Sequence, residues 1–226
     1  MVKGETGEIT FTINNRKVSG RQGMTILEVA LENGIYIPTL CYRPDLSPSG
    51  NCRLCVVEVE GSRTLVGSCH TPVTPGMTVL TDSPKVVETR RIILELMLSS
   101  HSGTCYMCDK ANICELRKLA AEMDVGLPRF SSHHRYYQKE ETDRHIIDLS
   151  KCVLCRRCVR ASAEITKDNV LAIANRGFYS KVVAGCDDSI GKALAGNDTC
   201  VLMCPSGALT TKVPNKEKIR TLVIRG

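Results

Sequence analysis

The sequence predicts an α+β protein built from small domains in a row. Three observations predict it. The first 80 residues alternate short strand patterns around one capped helix. Ser83-Pro84 then opens a second, longer helix, and the 13 cysteines among the 226 residues fall mostly into three tight groups. Aromatics are limited to 3 Phe and 6 Tyr, with no Trp, so the usual large core side chains are scarce. Domains this poor in apolar bulk need another kind of staple.

The elements follow in chain order. Residues 8–14 (EITFTIN) alternate as a half-buried strand does, and Asn14-Asn15 is a turn signal. A second short strand leads to Thr25-Ile-Leu-Glu28, a capping box in which Thr25 starts a helix and Glu28 reaches back to it. Ile26, Leu27, Ala30 and Leu31 form its apolar face, and Gly34 ends it. Residues 55–60, 64–68 and 77–81 read as further strands, the first two around Gly61-Ser62, which together suggest a β-grasp domain. Ser83 as cap and Pro84 at the first helical position begin a helix to about residue 99. A cysteine-bearing loop and a short helix near 114–123 follow, and the polar, periodless stretch 126–143 reads as a linker. The last third offers a strand at 145–149, a cysteine turn, a helix to about 165, strands near 169–174 and 178–183, and Cys200–Cys204 before Pro205. The basic tail 213–226 reads as partly disordered.

Several function classes are excluded at this level. The polar N-terminus shows no secretory signal, and the most apolar window, residues 92–98, falls far short of a spanning helix. A soluble, cytoplasmic protein without membrane insertion is expected. In a reducing cytosol, cysteines at short spacing point to metal ligands or redox centres rather than disulfides. No nucleotide loop, GxSxG or HExxH is present, so no nucleotide or flavin is expected on this chain and no catalytic residue is assigned. The basic residues are scattered, which speaks against nucleic acid.

The first cysteine group is Cys41, Cys52, Cys55 and Cys69, spaced C-x10-C-x2-C-x13-C. A Pro/Ser/Gly loop between Cys41 and Cys52, a C-x-x-C pair and a distant fourth thiol fit a [2Fe–2S] cage, and a four-cysteine zinc site uses similar geometry. The first gap is longer than the plant-type ferredoxin spacing. The second group is His101, Cys105, Cys108 and Cys114. Three cysteines in ten residues leave one coordination position open, and His101 is the nearest upstream donor. The alternatives are a helix-end histidine or a zinc site of three cysteines and one histidine.

The third group is Cys152, Cys155 and Cys158, with Cys204-Pro205 far downstream. In two-cluster ferredoxins each C-x2-C-x2-C-x3-C-P run lends its fourth cysteine to the other cluster. Here the first run carries Ser162 in its fourth place, and the second carries Leu194 and Asn197 in its first and second. One complete set survives, Cys152, Cys155, Cys158 and Cys204, and it fits one [4Fe–4S] centre. Cys186 and Cys200 remain, as buried small residues or spare ligands.

Taken in order, CYRPDLSPSGNCRLC with Cys69, HSGTCYMCDKANIC, and CVLCRRC with Cys204-Pro205 resemble the small diaphorase iron–sulfur subunit of NAD(P)-linked hydrogenases. They likewise resemble the homologous N-terminal region of the large complex I (NADH dehydrogenase) iron–sulfur subunit. The resemblance covers residues 7–212. It implies a β-grasp [2Fe–2S] ferredoxin domain (1–82) and a small helical [4Fe–4S] domain with one His and three Cys ligands (83–125). A linker (126–143), a bacterial-ferredoxin-like domain with one [4Fe–4S] cluster (144–212) and the tail (213–226) follow. It also implies an electron relay rather than a catalyst: single electrons pass through three clusters between a flavin- and NAD(P)-binding diaphorase subunit and a catalytic hydrogenase subunit. The alternative is the same relay role in a formate dehydrogenase or another NADH-linked or electron-bifurcating complex. Iron-only hydrogenases and formate dehydrogenases carry related N-terminal modules, and in them a catalytic domain continues the chain. Only 22 residues follow Cys204 here, so no such domain is expected. A zinc-stabilised structural or adaptor protein is the reading from another class. The formal charge of +6 then finds an internal counterpart, since three oxidised clusters on these ligand sets add about −5.

Overall fold

In the computed structural model, residues 7–101, 105–132, 138–185 and 189–212 are described. Cys186 and the tail 213–226 lie outside the described residues. The chain divides into two compact units, Met1–Thr39 with Pro48–Ile93, and Leu40–Ser47 with Leu94–Gly226.

The first unit is a five-stranded sheet with a helix. β1 (Glu8–Ile13) and β2 (Arg16–Arg21) form an antiparallel hairpin whose turn residues, Asn14 and Asn15, both take positive φ, 49° and 63°. That is the primed-turn backbone asparagine tolerates best after glycine. Alternation along β1 buries Ile9, Phe11 and Ile13. α1 (Ile26–Glu32) starts as expected: Glu28 N donates to Thr25 Oγ1 (3.3 Å), and Thr25 N donates to Glu28 Oε2 (2.8 Å). Asn33 is its C-cap, and Gly34 follows at φ +69°, a left-handed position that glycine takes without a Cβ penalty. Thr25→Ala should lower unfolding stability by about 1 kcal/mol, read as a shifted denaturation midpoint by circular dichroism.

β3 (Val56–Val59), β4 (Val66–Gly67) and β5 (Thr78–Leu80) complete the sheet in the order β2-β1-β5-β3-β4, with β1 and β5 parallel. Ile13, Ile26, Leu27, Val29, Leu54, Val57 and Val79 are fully buried in this unit. α2 (Pro84–Ser99) begins where Val86 N donates to the Ser83 hydroxyl. Its Arg90 is buried and donates to Thr81 O (2.8 Å) and Val56 O (2.6 Å). Burial pulls that guanidinium down to about 10 despite the nearby Cys55 and Asp82.

In the second unit, α3 (Glu115–Glu122) precedes a three-stranded sheet of β6 (Lys139–Glu141), β7 (His145–Asp148) and a late strand. α4 (Arg157–Glu164), the hairpin β8 (Leu171–Ala174) with β9 (Lys181–Ala184), α5 (Ile190–Ala193) and α6 (Asp198–Leu202) follow. β10 (Leu209–Thr211) pairs with β7, giving the order β10-β7-β6. One core gathers Leu46, Ile147, Leu149, Ala161, Leu171, Val182, Leu194, Val201 and Leu209. Asp198 joins α6 to β7 through His145 Nε2 (3.0 Å) and Arg144 (2.9 Å).

One stretch departs from its sequence reading. Residues 126–143, read as a linker, contain β6. Lys139-Glu140-Glu141 has no apolar alternation to announce a strand. Its order comes from pairing with β7 and from Glu140, whose carboxylate accepts from Ser189 Oγ (2.8 Å) and Gly191 N (3.0 Å). Partial burial raises the Glu140 carboxyl, but these bonds outweigh it and hold the group below its usual range. Arg129 in the same stretch pairs with Glu95 at 2.9 Å. Among the described residues no helix is long and apolar enough to cross a membrane.

Candidate metal centres

In the first unit, Cys52, Cys55 and Cys69 are all buried. Cys52 and Cys55 flank Arg53, held at φ +58°. A left-handed non-glycine residue stores local strain in the loop between the two thiols. The loop meets the Cys69 segment through His70, whose ring lies so close that a Cβ on Gly50 or Gly67 would approach it to 3.1 or 2.3 Å. Ser68 N donates to Cys55 O (3.0 Å). Three thiols of the first set are therefore carried on one packed loop-and-strand corner.

Cys41 lies in the segment Leu40–Ser47, which belongs to the second unit. It is 1% exposed. α4 grips this segment from three positions. Arg160 donates to Cys41 O and Ser47 O, Arg157 donates to Tyr42 O (3.1 Å), and Glu164 accepts from Ser47 N (2.7 Å) and Oγ (2.6 Å).

The third set is brought together most fully. A single cavity is lined by Cys152, Cys155, Cys158 and Cys204, with Leu149, Val153, Arg156, Val182, Ser206, Ala208 and Leu209. Burial pushes the Cys155 thiol up to about 12, and Cys204 and Cys152 add to the rise. Burial likewise raises Cys158 well above its ordinary value, with Cys155, Cys152 and Cys204 adding. Mutual repulsion among buried thiolates is what positive metal centres relieve, so metal uptake must release protons here. Leu154 and Arg156 sit at φ +54° and +60°, a second strained loop of the kind seen at Arg53. The Arg157 amide donates to the Cys155 sulfur. The donor set, the cavity and the strained loop all fit an iron–sulfur group at this place. Among the described residues no three His, Cys, Asp or Glu side chains gather tightly enough for a single metal ion.

At the three positions where the two-cluster pattern would place cysteines, the side chains make ordinary packing and hydrogen-bond contacts. The Ser162 hydroxyl is buried, accepting from Leu171 N and donating to Val159 O. Leu194 is fully buried. Asn197 Nδ2 bonds Asp168 (2.5 Å) and Thr166 (3.3 Å), and Asn197 Oδ1 accepts from Cys200 N. Cys200 is buried, and burial with Asp168 pushes its thiol up to about 11.

The middle group lies in the second unit. His101 is buried (8% exposed) just beyond α2, and residues 102–104 lie outside the described residues. Cys105 and Cys108 bracket a 3₁₀ turn. Cys114 caps α3, its sulfur accepting from Arg117 N (3.4 Å). Burial raises the Cys114 thiol, and the neighbouring Cys108 and Cys204 raise it further. The middle and third groups are thus adjacent, and Glu115 N donates to Pro205 O (2.9 Å) between them.

Of the cations beside the cysteines, Arg156 is exposed, Lys151 pairs with Asp148 (3.0 Å), and Arg157 is buried. Sequence reasoning missed Lys110, which is buried and donates from Nζ to Leu209 O (3.2 Å) and Val201 O (3.5 Å). It missed the Arg160 and Glu164 grip as well. The one available signal was the spacing of Arg157, Arg160 and Glu164, which puts them on one helical face.

Comparison with known families follows the same order. Residues 6–84 match a family described as a 2Fe-2S iron-sulfur cluster binding domain. Residues 90–129 match the NADH-ubiquinone oxidoreductase-G iron-sulfur binding region. Residues 145–210 match the ferredoxin-like domain of NADH-quinone oxidoreductase subunit 3. The chain is 39% identical over 208 residues to the NADP-reducing hydrogenase subunit HndD of Solidesulfovibrio fructosivorans, covering 89% of this chain and 36% of that protein. It is 35% identical over 207 residues to an NADH-quinone oxidoreductase subunit of Streptomyces coelicolor (90% and 24%). It is 34% identical over 211 residues to the NADPH-Fe(3+) oxidoreductase subunit alpha of Geobacter sulfurreducens (90% and 24%). The chain spans about a quarter to a third of the length of these relatives. A chain of an NAD+-reducing [NiFe]-hydrogenase, solved in the H2-reduced state, superposes with a TM-score of 0.84 at 34% identity, covering 91% of this chain and 88% of that one.

Proposed function

Because the chain belongs to the family of iron–sulfur subunits that NAD(P)-linked hydrogenases share with the N-terminal region of the large complex I subunit, we propose that it relays single electrons through three clusters. A [2Fe–2S] cluster is assigned to Cys41, Cys52, Cys55 and Cys69. One [4Fe–4S] cluster is assigned to His101, Cys105, Cys108 and Cys114, and a second to Cys152, Cys155, Cys158 and Cys204. The observation that carries the reading is the cavity lined by all four thiols of the third set.

When bound, such clusters take up and release one electron at a time. The chain's own residues do the rest. Thiolates hold the groups, apolar neighbours such as Leu149 and Leu209 keep water from the third site, and backbone N–H donors at the Cys155 and Cys114 sulfurs favour the reduced, more negative state. The adjacency of Cys114 and Cys204 supports passage between the two [4Fe–4S] sites.

The partners we propose are a flavin- and NAD(P)-binding diaphorase subunit and a catalytic hydrogenase subunit, in the cytoplasm. The likeness spanning most of the hydrogenase chain favours this assembly over a formate dehydrogenase or another NADH-linked complex. Visible absorption with iron and zinc analysis tests the relay. About ten irons per chain are expected from the three ligand sets. Two or three zinc ions with no iron would overturn the relay in favour of a structural zinc protein.

The role of His101 has its own test. His101→Cys adds a thiolate charge to the middle site, so its cluster should persist with a lowered midpoint in an EPR-monitored redox titration. An unchanged midpoint removes His101 from the ligand set.

A further inference from the structure

Arg157 stands among residues of the second unit that adjoin cysteines in sequence. It is 3% exposed, and its guanidinium makes two contacts in different directions. Nη1 donates to Glu115 Oε1 at 2.6 Å, and Nη2 donates to Tyr42 O at 3.1 Å. Glu115 follows Cys114, Tyr42 follows Cys41, and Arg157 itself precedes Cys158. One buried cation therefore bonds to, or belongs to, a residue next in sequence to a cysteine of each set. Its neighbours in α4 do not share this position, since Arg156 is exposed and Arg160 reaches the Cys41–Ser47 segment instead.

We infer that Arg157 is a positioning residue for the relay, which anchors the Cys41 segment and supplies one buried positive charge that raises the reduction potentials of the two [4Fe–4S] centres together. The inference rests on the proposed cluster assignment. A fixed cation favours whichever redox state is more negative, and in a dry site its field is weakly screened. An arginine guanidinium keeps its charge throughout the ordinary pH range, and its 2.6 Å bond to Glu115 holds it in place. A planar fork serves two acceptors at once, which a lysine point charge does not match.

The sign of the effect separates this role from a structural one. Arg157→Gln removes the positive charge and leaves Glu115 uncompensated beside Cys114. Glu115→Gln removes the negative charge and leaves Arg157 in place. The experiment is an EPR-monitored redox titration of the iron-loaded protein with R157Q, R157K and E115Q. R157Q should move the midpoints of the two [4Fe–4S] signals to more negative values, E115Q should move the middle signal to more positive values, and R157K should stay near wild type. No shift in R157Q, shifts of the same sign in R157Q and E115Q, or no shift in E115Q would overturn the inference. If R157Q does not retain its clusters, R157K and E115Q decide together: midpoints displaced in R157K would overturn the inference, and E115Q stays interpretable because the Glu115 side chain is 43% exposed and its loss leaves the core intact. Failure of the cluster assignment reads differently: the wild-type protein would then carry no iron signals at all.

Discussion

Cys204→Ala should abolish the third cluster, while Cys200→Ala leaves it in place. The two thiols lie four residues apart, Cys200 within α6 and Cys204 two residues beyond its end, and the C-x3-C-P count gives the fourth place to Cys204 with Cys200 left over. The structure separates them by what each faces. Cys204 lines the cavity with Cys152, Cys155 and Cys158, and its sulfur meets Ser206 O at 3.3 Å. Cys200 is fully buried in the apolar core, close enough to Cys158 to raise its thiol but outside the cavity lining. In C204A the iron content should fall from about ten to about six per chain, with loss of one [4Fe–4S] EPR signal. C200A should keep its full iron content and lose about 1 kcal/mol of stability for the small void it leaves. Equal iron loss in both variants would remove Cys204 as the distinguishing ligand.

Gly207→Ala should damage the middle cluster although residue 207 belongs to neither set. A Cβ at this position would lie 2.6 Å from Cys108 Sγ and 3.0 Å from Lys151 Cδ. The turn after Cys204-Pro205 is held in place, because the Ser206 hydroxyl donates to Lys151 O (2.8 Å) and Glu115 N donates to Pro205 O. The turn cannot easily retreat, so the sulfur must move. As a ligand it has little room to do so, and overpacking of this kind costs about 1–3 kcal/mol. The expected result is loss or broadening of the His101-set EPR signal with the Cys152-set signal retained. Equal strength of both signals would show that the turn yields instead.

Much of this was legible in the sequence because it rests on local chemistry. The Thr25/Glu28 capping box, the Asn14-Asn15 turn and the Ser83-Pro84 helix start all formed where the residue pattern put them. Each depends on neighbours within four positions, which a linear reading sees. The strand at 139–141 was not legible, because its order comes from β7 and from Ser189 and Gly191, some fifty residues away. Lys110 escaped for a similar reason, since its two acceptors lie on α6 and β10.

The cysteine spacing by itself narrowed the chemical class to metal centres of iron–sulfur or zinc type, because thiols in C-x-x-C pairs with a distant fourth partner have few uses in a reducing compartment. It also pointed to one complete ligand set in the last third, since Ser162, Leu194 and Asn197 stand where the two-cluster pattern has cysteines. Only the tertiary structure decided which cations are buried. Arg156 and Arg157 are adjacent and identical in type, yet one points to solvent and the other is buried between Glu115 and Tyr42. The physical reason is the backbone: Arg156 takes the left-handed turn before α4, at φ +60°, and α4 then starts with Arg157 facing inward. A charge's effect on a redox site depends on its burial and its partners, and long-range packing sets both.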